Sequence, residues 1–297
     1  MTPPNYALGA AMVLLSAVFF GIQPIFGHAL NQASVDAYAL NLIRYSVPAA
    51  LLVTWLVMTR RGPAINRIHA LRHAVLGLGF VGAGVGYYQA GFEIGFGLAV
   101  IVFFTFPLMV TLYSWGVLRV RLRPIQLAAM VGALVGLVIA IDIQWQSSAI
   151  SGVLWALLAG FSYAATLIYK THYLPPMDEQ HSLAALMVGA SIIMVAIIGL
   201  RGADFPNTGY AWSVAAALSI FAGLIPIGLL MLGTRVVGPL DSATLCTLEP
   251  IVAIAVSVSL LGESASLSTL IGGALVISSA AVLMRARIST QTGRATA

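Results

Sequence analysis

Ten stretches of this chain stay apolar for about twenty residues each, and only short links join them. They run roughly over 7–27, 38–58, 72–91, 97–118, 124–142, 150–170, 181–200, 211–233, 240–261 and 268–285. A helix rises about 1.5 Å per residue, so some 20 apolar residues match the ~30 Å hydrocarbon core of a bilayer. In lipid every backbone polar group needs a partner within the protein, which leaves helices and closed barrels. Barrel strands are shorter and alternate in polarity, so these stretches read as helices. Composition agrees: 60% of the residues are hydrophobic, 8% are charged, and mean hydropathy is +0.99. Soluble domains carry about 25% charged residues, and no soluble core could bury this much apolar chain. The expected fold class is an all-α integral membrane protein with ten transmembrane helices.

The chain also repeats itself at a spacing of 143 residues. Gly9, Leu14 and Leu15 fall on Gly152, Leu157 and Leu158 without a gap. At the same offset Pro107 falls on Pro250, Leu118 on Leu261 and Leu127 on Leu270. Agreement at both ends of a half reads as duplication, with five spans in each half. Five is odd, so the second half enters the membrane from the opposite face and the repeat is inverted. The halves are placed at 1–146 and 147–286, with a cytoplasmic tail at 287–297. Paired repeats of this kind build many secondary transporters, with the substrate held between them.

Basic residues orient the chain. With the N-terminus inside, inner loops and the tail hold Arg60, Arg61, Arg67, Arg72, Arg119, Arg121, Arg123, Lys170, Arg235, Arg285, Arg287 and Arg294. Arg201 is the one basic residue assigned to an outer loop, and Arg44 lies within a span. This is a positive-inside pattern. Dropping one span would move every later loop to the other side, so the charges independently support ten. Both termini are expected in the cytoplasm, in an inner (plasma) membrane.

The same topology accounts for the pI near 9.6, and nucleic acid is not an expected partner. Residues 1–10 hold no Lys or Arg, so the first span does not read as a signal peptide. Cys246 is the single cysteine, which excludes an internal disulfide. His69 and His73 are spaced i, i+4 as metal ligands can be, but a solvated loop face is the expected role. No metal, cofactor or catalytic residue is expected. Gly82-Ala-Gly-Val-Gly86 and the Gly132/Gly136 pair lie within spans, where small residues mark close helix packing.

Two ionisable groups lie deep within spans, Arg44 in the second and Glu249 in the ninth. Such groups are costly in a bilayer and face the bundle interior or a water-filled cavity. Glu249 suits a proton acceptor or a contact for a substrate amine. The plainer alternative is a carboxyl that braces the helix break at Pro250 by hydrogen bonds, and Phe106 at the matching position of the first half favours it. Arg44 suits a clamp for a substrate carboxylate or a structural ion pair. Pro107 and Pro250 hold matching places, and a proline frees a carbonyl and kinks a helix. Matched broken helices point to a substrate path. Pro24 and Pro226 add kinks in spans one and eight. Gln23, Tyr87, Tyr88 and Tyr163 complete the candidate cavity, with Asn41, Tyr45 and Gln89 as further polar residues in spans. Tyr6, Trp145, Tyr173 and Trp212 read as interfacial belt. Tyr87 and Tyr88 point about 100° apart on a helix, so one of the two is expected to face the cavity.

Residues 223–273 hold a basic residue closing a small-residue span (Arg235), then Glu249-Pro250, then Leu261-Gly262-Glu263. This resembles the second half of the EamA-type repeat of the drug/metabolite transporter superfamily. The first half resembles it less closely: Pro107 is kept, Phe106 replaces the glutamate, and Arg119-Val120 stands in place of Gly-Glu. The resemblance spans roughly residues 7–285. It implies ten helices in inverted five-helix repeats and a central cavity formed by spans one, three, four, six, eight and nine. Within the superfamily the chain looks like bacterial YddG-like amino-acid and metabolite exporters. The expected function is export of small metabolites, amino acids foremost and aromatic and neutral ones included, by alternating access, with the protein as a monomer in the lipid bilayer. Amphipathic drugs or sugar-type solutes are the alternative substrates, and a membrane-embedded enzyme is the alternative class.

Overall fold

The computed structural model describes residues 5–59, 67–119, 121–141 and 147–295. Arg60, Arg61 and Trp145, the division at 146, and the side chains of Arg287 and Arg294 lie outside what is described. The described residues form helices and no strand. In chain order these are α1 (Tyr6–Gly21), α2 (Gln23–Gln32), α3 (Ala37–Met58), α4 (Arg67–Ile94), α5 (Phe96–Phe103), α6 (Phe106–Gly116) and α7 (Pro124–Ile141). The second half has α8 (Ser147–His172), α9 (Glu179–Arg201), α10 (Gly209–Ser219), α11 (Ile225–Val237), α12 (Pro239–Leu245), α13 (Leu248–Ser259) and α14 (Leu267–Ala295). They make ten segments long and apolar enough to cross a membrane. Six spans are single helices, while spans one, four, eight and nine are each two half-helices in line.

The four breaks fall where the prolines put them. Pro24, Pro107 and Pro226 stand at the start of α2, α6 and α11, and Pro250 is the third residue of α13. Proline has no N–H to give a preceding turn, so it is tolerated where that donor is unpaired anyway, at a helix start. In span eight the transition is a π-helical turn at Ile220–Leu224. Pro48 sits inside α3 without ending it, so proline alone does not decide a break. The breaks in spans four and nine match to within one residue at the 143 offset, with α6 opening at Phe106 and α13 at Leu248.

The inverted repeat is visible in side-chain packing. If the halves exchange by a two-fold axis, a contact between i and j+143 must recur between i+143 and j. A Cβ built on Gly9 would stand 2.7 Å from Val236 Cβ, and one on Gly152 would stand 3.1 Å from Glu93 Cβ. Glu93 is Val236 less 143, and Gly152 is Gly9 plus 143. Gly132 against Ser279 and Gly136 against Leu275 form a second exchanged pair, between α7 and α14. Small residues at these points let backbones approach closely, the means by which helices associate where lipid offers no hydrophobic drive. Accordingly α1 packs on α11 as α8 packs on α4, and α7 pairs with its own counterpart α14. Gly82, Gly84 and Gly86 are such close approaches, to Ser162, Tyr45 and Trp155.

One expectation is corrected here. His73 is not on a solvated loop face: α4 begins at Arg67, and His73 is 2% exposed. Its Nδ1 lies 2.8 Å from Ser182 Oγ and its Nε2 lies 3.1 Å from the Pro175 carbonyl. A carbonyl only accepts, so Nε2 donates to it, and Nδ1 shares the second hydrogen bond with the Ser182 hydroxyl. The ring ties span three to span seven. Its partners lie more than a hundred residues on, beyond the reach of local periodicity.

Candidate functional site

Asp36 caps α3 by accepting the N–H groups of Tyr38 at 2.5 Å and Ala39 at 3.1 Å. From that cap α3 carries Arg44 inward to the region between the two halves. Arg44 Nη2 donates to Gln23 Oε1 at 3.2 Å, and the Tyr88 hydroxyl donates to the same oxygen at 3.4 Å. Gln23 is the first residue of α2, immediately after the break in span one. The guanidinium also lies 5.6 Å from the centroid of the Tyr88 ring and 6.0 Å from that of Tyr45, the range in which a ring face attracts a cation. Arg44 therefore enters the site from span two, which the resemblance does not place among the cavity-forming spans.

Glu249 is the second residue of α13, just past the break in span nine. The positive end of a helix dipole favours a carboxylate there. It is half-buried and lies within electrostatic range of Arg44, Tyr87 and Tyr163. No ion pair among the described residues joins it to Arg44. Its carboxylate holds no hydrogen bond among the described residues, so the bracing bonds expected of it at Pro250 are not formed.

Between and beside these charges runs an aromatic wall. The Tyr163 ring stands 4.9 Å from Phe106, 5.5 Å from Phe103 and 6.3 Å from Phe80, centroid to centroid. Phe103 continues it to Tyr87 at 6.0 Å, and Tyr87 to Tyr88 at 5.4 Å. Tyr87 and Tyr88 are both buried rather than one facing open space, because α4 is enclosed here by α2, α5 and α8. The Tyr87 hydroxyl is buried without a partner among the described residues. The structure thus brings Gln23, Arg44 and Tyr88 into one cluster, with Tyr87, Tyr163 and Glu249 around it.

Other polar residues have local duties. The Tyr45 hydroxyl donates to the Phe80 carbonyl at 2.7 Å, and Asn41 donates to the Ala37 carbonyl at 2.7 Å. Two of the residues read as interfacial belt have specific partners: Tyr6 donates to Asp241 at 2.6 Å, and Tyr173 shares a hydroxyl–hydroxyl bond with Tyr113. Phe80 and Phe103 carry no sequence signal that separates them from any other apolar span residue.

A cleft of about 570 Å³ lies between α4, α6 and α8. Gly79, Met109, Tyr113, Ser162 and Tyr169 are among its lining. It adjoins Tyr163 through Ser162, but neither Arg44 nor Glu249 lines it.

Among the described residues, ten spans in two exchanged halves, four of them broken, around a half-buried charged and aromatic centre, define a polytopic membrane protein built on inverted repeats. The chain matches the EamA-like transporter family twice, over residues 7–141 and 150–285, and belongs to that family, consistent with the drug/metabolite transporter superfamily. It is a multi-pass membrane protein of a family that transports small solutes. No curated protein matches the chain. Of 22 matching chains in solved structures, one titled "Crystal structure of protein" shares 18% sequence identity. It superposes with a TM-score of 0.60 over 94% of this chain and 97% of its own, a likeness of fold.

Proposed function

We propose that this protein is a secondary carrier of the inner membrane that exports small metabolites, amino acids foremost, by alternating access. The carrying observation is the centre itself. Arg44 and Glu249, opposite in charge and unpaired with each other, lie between the repeats beside a wall of aromatic rings. An amino acid offers a carboxylate, an ammonium and, in the aromatic and neutral members, an apolar side chain. Gln23 and Tyr88 hold the guanidinium side, Tyr87 stands beside Tyr88, and Tyr163 faces the solute. The breaks before Pro24, Pro107, Pro226 and Pro250 supply points at which half-helices can turn about the site. The basic loops favour cytoplasmic termini, and the reading takes the protein as a monomer.

The apolar cleft beside Tyr163 favours a second reading, in which amphipathic drugs are the cargo. Purified protein in proteoliposomes separates the two. Amino acids should be taken up and exchanged, and exclusive movement of amphipathic cations would replace this reading with the second. An imposed pH gradient tests coupling. If Glu249 exchanges protons, Glu249→Gln removes the response to the gradient from whatever exchange remains.

A further inference from the structure

The charged pair exists once, although the fold around it exists twice. At the 143 offset Arg44 corresponds to Met187 and Glu249 to Phe106. Met187 and Phe106 each pack into hydrophobic core, in separate clusters, and are 3% and 9% exposed. The repeat therefore folds and buries these positions without charge. Folding alone does not call for Arg44 and Glu249.

Nor do they satisfy each other. Of the five N–H donors of a guanidinium, the structure commits one from Arg44, to Gln23. Gln23 Oε1 and the Tyr88 ring hold the group in place from one side. A planar fork fixed in this way is suited to a carboxylate, which accepts two parallel bonds. The Glu249 carboxylate, an acceptor with no donor among the described residues, is the complementary half. Both groups are half-buried; an unpaired charge drawn out of bulk water is costly, and two of opposite sign in range of each other are relieved together by one solute that carries both complements.

We infer that this centre, on the export reading above, binds an α-amino acid as the zwitterion, with the α-carboxylate on Arg44, the α-ammonium on Glu249, and the side chain along Tyr163, Phe103 and Phe106. A solute lacking one end leaves one protein charge unpaired, and such sites reject the incomplete analogue strongly. Because the pair is single, the pseudo-symmetric position offers no second zwitterion site.

The test is competition against exchange of labelled phenylalanine in proteoliposomes. The competitors are phenylalanine, phenylalaninamide without the carboxylate, and 3-phenylpropionate without the ammonium. For the wild type, each incomplete analogue should compete at least roughly tenfold less well than phenylalanine. Arg44→Gln should lose the discrimination against phenylalaninamide and keep that against 3-phenylpropionate. Glu249→Gln should do the reverse. If a variant no longer exchanges, thermal stabilisation of the purified protein by the three compounds reads the same pattern, and Arg44→Lys and Glu249→Asp should retain the wild-type order. Wild-type exchange of phenylalanine with both variants losing both discriminations equally, or neither, overturns the zwitterion assignment and leaves amino-acid export standing. Wild-type protein that moves no amino acid overturns both.

Discussion

Gly95 and Gly238, 143 residues apart, hold nearly one backbone conformation, φ 80° and ψ 150° against φ 85° and ψ 164°. Each precedes a half-helix that soon breaks: α5 has 8 residues and α12 has 7. Only glycine adopts that conformation without strain. The repeats diverge in what meets the helix start. The Glu263 carboxylate accepts the N–H groups of Phe96 at 2.8 Å and Gly97 at 2.9 Å, capping α5. The matching position for α12 is Val120, which cannot accept, and α12 opens instead on Pro239, which has no N–H to satisfy.

Glu263→Ala leaves two amide groups at the start of span four without their acceptor. A hydrogen bond to a charged group contributes about 1.5–3 kcal/mol, so a loss near the lower end of that range is expected. Glu263→Gln, which keeps one acceptor oxygen, should lose less. Thermal unfolding in detergent measures both, and an unchanged midpoint for Glu263→Ala would remove the cap from the account of stability.

Gly136→Ala should be costlier than Gly132→Ala. A Cβ on Gly136 would stand 2.8 Å from the Gly272 carbonyl oxygen and 3.0 Å from Val276 N, both backbone, so α7 and α14 must separate. A Cβ on Gly132 meets the Ser279 hydroxyl at 2.7 Å, which can rotate away. Overpacking of the first kind costs about 1–3 kcal/mol. Unfolding midpoints of the two variants should fall in that order.

Asp36 does two jobs and Arg201 is partner to one of them. Asp36 caps α3 and also accepts from Arg201 at 3.0 Å. The Arg201 guanidinium is 43% exposed and lies 3.7 Å from the Tyr38 ring centroid. An exposed ion pair contributes about 0–1 kcal/mol, whereas losing a cap costs about 1 kcal/mol in addition. Asp36→Ala should therefore destabilise more than Arg201→Ala, and high salt should narrow the difference only slightly. Equal effects would show that the cap contributes nothing.

Tyr163→Ala removes the ring that joins Phe80, Phe103 and Phe106. Transport of bulky apolar amino acids should fall more than that of small ones, by up to about 1–3 kcal/mol in apparent affinity. Exchange rates over a side-chain series test this, and a uniform loss across the series would count against contact with the solute.

The orientation is testable by alkylation of single cysteines in a Cys246→Ser background. Cysteines at Ser34 and Ser147 should react from outside the cell, and one at Arg67 only after permeabilisation. The opposite pattern would reverse the topology.

Lipid makes much of this protein legible from its sequence. A bilayer demands runs of fixed length and punishes charge, so ten spans, five per repeat, follow from apolar stretches alone. Pro24, Pro107, Pro226 and Pro250 stand in the first turn of a half-helix, where no turn needs the missing N–H, although Pro48 inside α3 shows that proline alone does not mark a start. The Gly-Glu of the second repeat even shows its turn: Gly262 has φ 70°, and Arg119, where glycine is missing, still takes φ 53°. What the sequence could not express is which side chains meet across spans. Gln23, Arg44 and Tyr88 are 21 and 65 residues distant from one another in two of their contacts. Tyr45 and Tyr88, alike in composition, part ways into a backbone anchor and a cation-binding face. Phe103 looks like any lipid-facing phenylalanine yet lies in the wall of the site. These outcomes depend on the rotation and crossing of each helix. In a membrane that rotation is set by the close packing of small residues against distant neighbours, and it leaves no local period to read.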